Sequence, residues 1–332
     1  MRALVYLGPR RMELQEAPDP EPGPGEVVIR SAASAICGSD LHGFREATRR
    51  RIPPLVMGHE TVGTIDAVGD GVDGVRPGDR VVLKPIVACG RCARCREGRT
   101  NLCTKGTLVG RDLTGGFAER FAVPATAAVP IDERVPDDVA TLTEPLANAV
   151  HVAERGVRRD DTVLVIGAGP IGVLMARMAT ERGASAVFST DRLASRLELA
   201  RAQGAVPLDP NDPLEELRSA VPDGVDVVID AVGLEATWAM ALRAARSGGR
   251  VEAVGLGAPK GPVDFFAVAG KEIRITGSFG WTEPEFSRAV ELIEGRAIHT
   301  TGWLTTMPLA EGQRAFEELV DGTDQFKVVL VP

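Results

Sequence analysis

The chain has 332 residues, 44% of them apolar and 25% charged, with a formal net charge of −8. That length predicts two domains, each able to bury its own core, and the ordinary apolar fraction excludes disorder as the main state. The acidic balance argues against nucleic-acid or anionic-membrane partners, which need clustered positive charge, and an aromatic content of 4% argues against a base-stacking platform. No apolar run reaches the roughly 20 residues of a membrane span, and the start lacks the apolar core and cleavage site of a signal peptide, so a soluble cytoplasmic protein is expected.

Residues 1–150 read as short β-type runs, such as 27–30, 61–65 and 80–83, separated by Pro22-Gly23-Pro24-Gly25 and Pro77-Gly78-Asp79. Such punctuation predicts a compact antiparallel β domain. After about residue 150 the texture changes. An apolar run over 162–166 suits a buried parallel strand. It leads through glycines into a helix whose apolar residues Ile171, Leu174, Met175, Met178 and Ala179 share one face. Strands then read at 186–188, 225–229, 250–254 and 272–276, with helices over 192–203 and 235–246. This alternation predicts an α/β doubly wound architecture with a parallel sheet. The tail reads as a helix over 285–294, a second near 310–320 and a closing strand over 328–331.

Gly167-Ala168-Gly169-Pro170-Ile171-Gly172 joins the first of those strands to its helix. The first glycine permits a tight turn, the second lets backbone approach a pyrophosphate, and the third lets helix and strand pack closely. The helix N-terminus adds amide donors and a positive dipole. Asp191 follows about 20 residues on, where a carboxylate would accept hydrogen bonds from a ribose 2′-OH. That carboxylate favours NAD by repelling a 2′-phosphate. Arg192 and Arg196 are cations that could meet the phosphate, so NADP stays open.

Four of the five cysteines, Cys89, Cys92, Cys95 and Cys103, fall within fifteen residues, and Cys37 stands apart. In a cytosolic-looking chain the cluster reads as metal binding, with no disulfide expected. Four soft ligands in one loop suit a closed structural zinc site, with an iron–sulfur cluster as the competing reading. Cys37 lies in Ile36-Cys37-Gly38-Ser39-Asp40-Leu41-His42; Gly58-His59-Glu60 and Thr143-Glu144-Pro145-Leu146 supply further polar ligands. Together these match a catalytic zinc with sulfur, nitrogen and oxygen ligands and an open position. Arg49-Arg50-Arg51 reads as a solvated charge run, with an anionic substrate such as a sugar phosphate as the sharper alternative.

These motifs, with Gly115-Gly116-Phe117-Ala118-Glu119, occur in an order that resembles the zinc-dependent medium-chain dehydrogenase/reductase family, nearest its sorbitol and threonine dehydrogenase branch. The resemblance covers essentially the whole chain. It implies a GroES-like catalytic domain over 1–150, a Rossmann domain over 151–280, and a return of 281–332 to the catalytic domain. It further implies that Cys37, His59 and Glu60 hold the catalytic zinc, with Glu144 as a ligand or an exchangeable one. Cofactor contacts are implied at Ile171, Asp191 and Arg196, and around Val254-Gly255-Leu256 and Ser278-Phe279-Gly280. Relatives are homodimers or homotetramers.

The expected chemistry is oxidation of a secondary alcohol, acidified by zinc, with hydride passing to the nicotinamide. Ser39, two residues after Cys37, can accept the hydroxyl proton. His42 fits the outer end of a relay, or an ordinary surface histidine; His151 and His299 read as structural. Gly43 and Gly280 depart from the sorbitol dehydrogenase pattern, whereas Leu146-Ala147-Asn148-Ala149-Val150-His151 resembles threonine dehydrogenases. A polyol, a cyclitol or aminocyclitol, an amino alcohol including L-threonine, and a sugar phosphate are therefore all candidate substrates. A non-catalytic dinucleotide-binding protein of the same fold is the alternative from another class.

Overall fold

The strand Glu26–Ala35 is the spine of the first unit, with Val27, Val28 and Ile29 buried and Arg30 exposed. In the computed structural model, which describes residues 1–46, 51–322 and 325–332, it pairs antiparallel with Glu60–Val68, Arg120–Pro124 and Lys327–Val331. Arg80–Leu83 and Ala128–Pro130 extend this sheet on one side and Leu304–Pro308 on the other. Two cores result. One holds Val27, Ile29, Ile65, Val81, Phe121 and Val123; the other centres on Phe316, whose ring lies 5.1 Å from Phe44 and 5.9 Å from Phe117. The unit comprises Met1–Glu144 together with Thr282–Pro332.

The second unit is Pro145–Trp281, a continuous stretch. Its strands all run parallel, in the spatial order Val206–Pro207, Ala186–Thr190, Thr162–Ile166, Val225–Asp230, Ala245–Ala253, Arg274–Gly277. In chain order that is 3-2-1-4-5-6, the doubly wound Rossmann arrangement, whose direction reverses between Thr162–Ile166 and Val225–Asp230. The β-branched residues of Thr162–Ile166 are buried because helices cover both faces of a parallel sheet. Among the described residues, no helix is long and apolar enough to cross a membrane.

The helix after the first strand spans Pro170–Glu181, with Gly169 as its cap and Pro170 in the first turn, where a missing N–H costs nothing. The strand expected over 272–276 begins at Arg274, because the helix Phe265–Gly270 is still closing through Lys271 and Glu272 takes φ +51°. The second tail helix begins at Gly312, after a 3-10 turn over Leu309–Glu311. Val206–Pro207, Pro213–Ala220 and Leu304–Pro308 are further elements that the sequence pattern does not mark.

Candidate active site

Three neighbouring strands of the first unit bring the site together. Cys37 follows Glu26–Ala35, Glu60 begins the adjacent strand opposite Ala35, and Lys327 begins Lys327–Val331. Cys37 caps the helix Gly38–Arg45: its sulfur accepts the Ser39 N–H, and Asp40 accepts the Cys37 N–H at 3.1 Å. Backbone bonds from Gly115, Gly116 and Phe117 to Val56, Gly58 and Met57 tie down the approach to His59. Ligand atoms of Cys37, His59 and Glu60 consequently lie within 4.8 Å of one another. Glu144 is outside that group, although its carboxylate acts on Lys327.

The group is backed by buried charge. Asp40 Oδ1 lies 3.5 Å from His59 Nδ1, which leaves Nε2 as the free ligand atom, and Ser39 Oγ lies 3.5 Å from that Nε2. Burial pushes the Asp40 carboxyl up, but the Arg51 guanidinium, His59 and the Cys37 N–H outweigh it and hold it at about 2. Burial likewise pushes His59 down, and Asp40 and Cys37 hold it well above its ordinary value. On the far side Lys327 Nζ reaches Glu60 Oε2 at 2.5 Å and the Ile36 carbonyl at 3.2 Å, both side chains being buried. Burial pushes Lys327 down, and Glu60 more than restores it.

Arg51 corrects the sequence reading. Arg49 and Arg50 lie outside the described residues, but Arg51 is buried rather than solvated. Its Nη2 lies 2.8 Å from Asp40 Oδ1 and donates to Ser39 Oγ at 2.9 Å; Nε and Nη1 donate to the Ser39 and Gly110 carbonyls. A run of arginines says solvent, and only the fold discloses that a buried carboxylate stands opposite the last of them. A usable signal was Gly43: a Cβ there would meet Arg51 Cδ at 2.4 Å, so the missing side chain makes room for the arginine stem. Lys327 was missed because its partner Glu60 is remote in sequence. His42 is exposed on the helix Gly38–Arg45, and no hydrogen bond joins its ring to Ser39 among the described residues. His151 is buried and His299 is exposed.

Cys89, Cys92, Cys95 and Cys103 form a second group, also within 4.8 Å, with sulfur separations of 3.5 Å (Cys92–Cys95), 3.8 Å (Cys92–Cys103) and 4.0 Å (Cys89–Cys95). A tetrahedron with metal–sulfur bonds of about 2.3 Å has edges of about 3.8 Å, so the quartet fits zinc, whereas a disulfide needs about 2 Å. Backbone N–H groups of Cys95 and Thr104 pull the Cys92 thiol down to about 6.

In the second unit the glycine turn is built as its spacing suggests. Gly167 takes φ +92°, and a Cβ on Gly172 would meet the Gly167 carbonyl oxygen at 1.8 Å. Asp191 accepts the Ala168 N–H at 2.8 Å and the Leu193 N–H at 3.0 Å, fixing its carboxylate beside the turn. Arg192 is exposed and Arg196 half-buried. Val254, Gly255 and Leu256 follow Ala245–Ala253, and Ser278, Phe279 and Gly280 follow Arg274–Gly277. The glycine turn, Asp191, residues 254–256 and residues 278–280 thus lie at the carboxyl ends of parallel strands, where doubly wound sheets bind ligands, and Arg196 lies on the helix Ala194–Ala202.

Two family models match the chain: an alcohol dehydrogenase GroES-like domain over residues 23–133 and a zinc-binding dehydrogenase over 170–295. An L-threonine 3-dehydrogenase of Anaeromyxobacter sp. (strain Fw109-5) is 36% identical over 99% of each chain. The alcohol dehydrogenase TADH from Thermus sp. ATN1 superposes with a TM-score of 0.91 at 32% identity, covering 100% of this chain and 99% of its own. A putative zinc-binding dehydrogenase from Sinorhizobium meliloti 1021, bound to NADP, superposes with a TM-score of 0.92 at 29% identity, covering 100% and 99%.

Proposed function

The chain belongs to the zinc-dependent medium-chain dehydrogenase/reductase family, and on that premise we propose that it reversibly oxidises a secondary alcohol of a polyol, a cyclitol or aminocyclitol, or an amino alcohol to the ketone, with NAD as hydride acceptor. The observation that carries the reading is the convergence of Cys37, His59 and Glu60 with Ser39 Oγ beside His59 Nε2. A sulfur, a nitrogen and an oxygen ligand fit zinc with a position left for substrate. Zinc held there would supply Lewis acidity toward a substrate hydroxyl, and a nicotinamide would serve as the hydride acceptor.

The chain's own residues do the rest. Asp40 Oδ1, facing His59 Nδ1 at 3.5 Å, would favour the ring proton there and leave Nε2 to hold zinc. Ser39 accepts the proton of the substrate hydroxyl and passes its own outward. His42, three residues further along the same helix and exposed, is the group that would receive it. Lys327 neutralises Glu60 so that its carboxylate can stay buried. Cys89, Cys92, Cys95 and Cys103 would hold a second zinc, which would fasten residues 89–103 outside the reaction.

Asp191 supports NAD over NADP, because both its oxygens are held beside the glycine turn, where a 2′-phosphate would be repelled. Arg51 is committed to internal partners, which weakens a sugar phosphate as substrate. The test is NAD⁺ reduction over a panel of polyols, cyclitols, amino alcohols including L-threonine, and polyol phosphates, with and without a chelator. Chelator-sensitive turnover of a neutral or amino alcohol supports the reading. Tight NAD binding with no turnover of any panel member would replace it with a non-catalytic dinucleotide-binding protein.

A further inference from the structure

We propose that Arg51 is a positioning residue for alcohol oxidation, holding the Ser39 hydroxyl directly and the His59 imidazole through Asp40; this rests on the catalytic reading of Ser39 and His59. The guanidinium is buried, and one nitrogen, Nη2, serves both groups, at 2.9 Å from Ser39 Oγ and 2.8 Å from Asp40 Oδ1. That same Asp40 oxygen faces His59 Nδ1 at 3.5 Å. The planar fork is anchored at its other edges by the Ser39 and Gly110 carbonyls, at 3.1 and 2.7 Å. Its place is made by Gly43, where any Cβ would strike the arginine stem.

The chemistry follows from donor and acceptor counts. A guanidinium donates only and is not deprotonated in proteins. Arg51 therefore occupies one lone pair of Ser39 Oγ and can never receive the substrate proton. The other lone pair and the O–H of Ser39 are left for the substrate and the path outward. Asp40, pulled on by Arg51, keeps a fixed orientation from which it holds His59. Lysine could keep the charge beside Asp40 but could not span Asp40, Ser39 Oγ and two carbonyls at once.

The test uses the full chain loaded with zinc. Zinc retention at the Cys37 site is read by competition with a chromophoric chelator in Arg51→Met, Asp40→Asn and the double variant, with the four-cysteine zinc as internal control. Arg51→Met should weaken that site about 10- to 100-fold, the usual effect of losing an outer partner of a ligating histidine, and leave the four-cysteine zinc in place. Adding Asp40→Asn should change little further, because both losses act through one contact. Arg51→Lys should hold zinc like the parent chain while kcat for the fastest alcohol of the panel falls and KM stays. Parental zinc retention in Arg51→Met, or losses that multiply in full in the double variant, would overturn the inference. If Arg51→Met does not fold, Arg51→Lys decides: unchanged kcat overturns the inference, and lowered kcat with zinc retained supports it. Cys37→Ser separates the two readings. Should it keep both zinc ions and normal turnover, the catalytic site itself is misassigned; should it lose one while Arg51→Met does not, only the role of Arg51 fails.

Discussion

The four-cysteine loop and the Cys37–His59–Glu60 group both gather candidate metal ligands within 4.8 Å, yet they are built in opposite ways. The loop draws every candidate ligand from one short stretch of half-buried cysteines, and among the described residues no buried ion pair stands behind it. The other group draws on separate strands and stands on two buried pairs, Asp40–Arg51 and Glu60–Lys327. A closed set of four thiolates is complete in itself and can serve folding alone. A three-ligand set that must leave a position open has fewer bonds to fix it, so its geometry has to come from the protein around it.

The largest contrast should appear on removing one sulfur from each group. Cys37→Ser should cut turnover by about 10³-fold or more, since the metal contributes several kcal/mol to the transition state. It should still bind NAD and still carry one zinc per chain, checked by fluorescence titration and metal analysis. Next in size, Lys327→Met strands a buried Glu60 carboxylate and should cost about 3 kcal/mol of stability in denaturant unfolding. The double variant Lys327→Met/Glu60→Gln should recover most of that stability and none of the turnover. Cys92→Ser should lose the other zinc and lower the melting temperature by about 5 °C, corresponding to roughly 2 kcal/mol in a domain of this size. Its turnover at low temperature should survive. If Cys92→Ser abolished turnover in the folded chain, the two groups would not be separable as described.

The smallest effects are those of pH. In the metal-free chain Asp40 and Cys37 raise the affinity of His59 for a proton that zinc would have to displace, so zinc affinity at this site should fall as pH is lowered. A proton-release measurement during zinc titration checks this. Asp40, held at about 2 instead of 3.8, adds stability that is complete above pH 4 and is lost as pH falls through 2. Acid unfolding of Asp40→Asn should therefore show a shallower slope in that window.

Much of this was legible in the chain wherever one short stretch carries its own physics. The helical face from Ile171 to Ala179, the glycine turn and the spacing of the four cysteines are local patterns, and the elements they predict are present. What escaped was long-range. Val206–Pro207 is too short to show a period, and Leu304–Pro308 is a strand only because Lys327–Val331 lies alongside it. Arg51 looked like surface because its meaning depends on Asp40 being buried opposite it. Glu60 gave no sign of needing a cation, because its lysine stands at the far end of the chain. Candidate ligands could be named from residue types and the family resemblance; the buried charges beside them could not.

The pairing of Lys327 with this site has a consequence for biosynthesis. Its contact with Ile36 spans 291 residues, which a ribosome adding about 5–20 residues per second takes roughly 15–60 s to make. Late in that interval, once residue 281 has been made, the stretch Pro145–Trp281 has all its strands available and can fold as a unit, while Glu60 still has no cation. The open-position ligands are thus made early and steadied last. A chain released before Lys327–Val331 would carry all three ligands and yet lack the strand that keeps Glu60 buried.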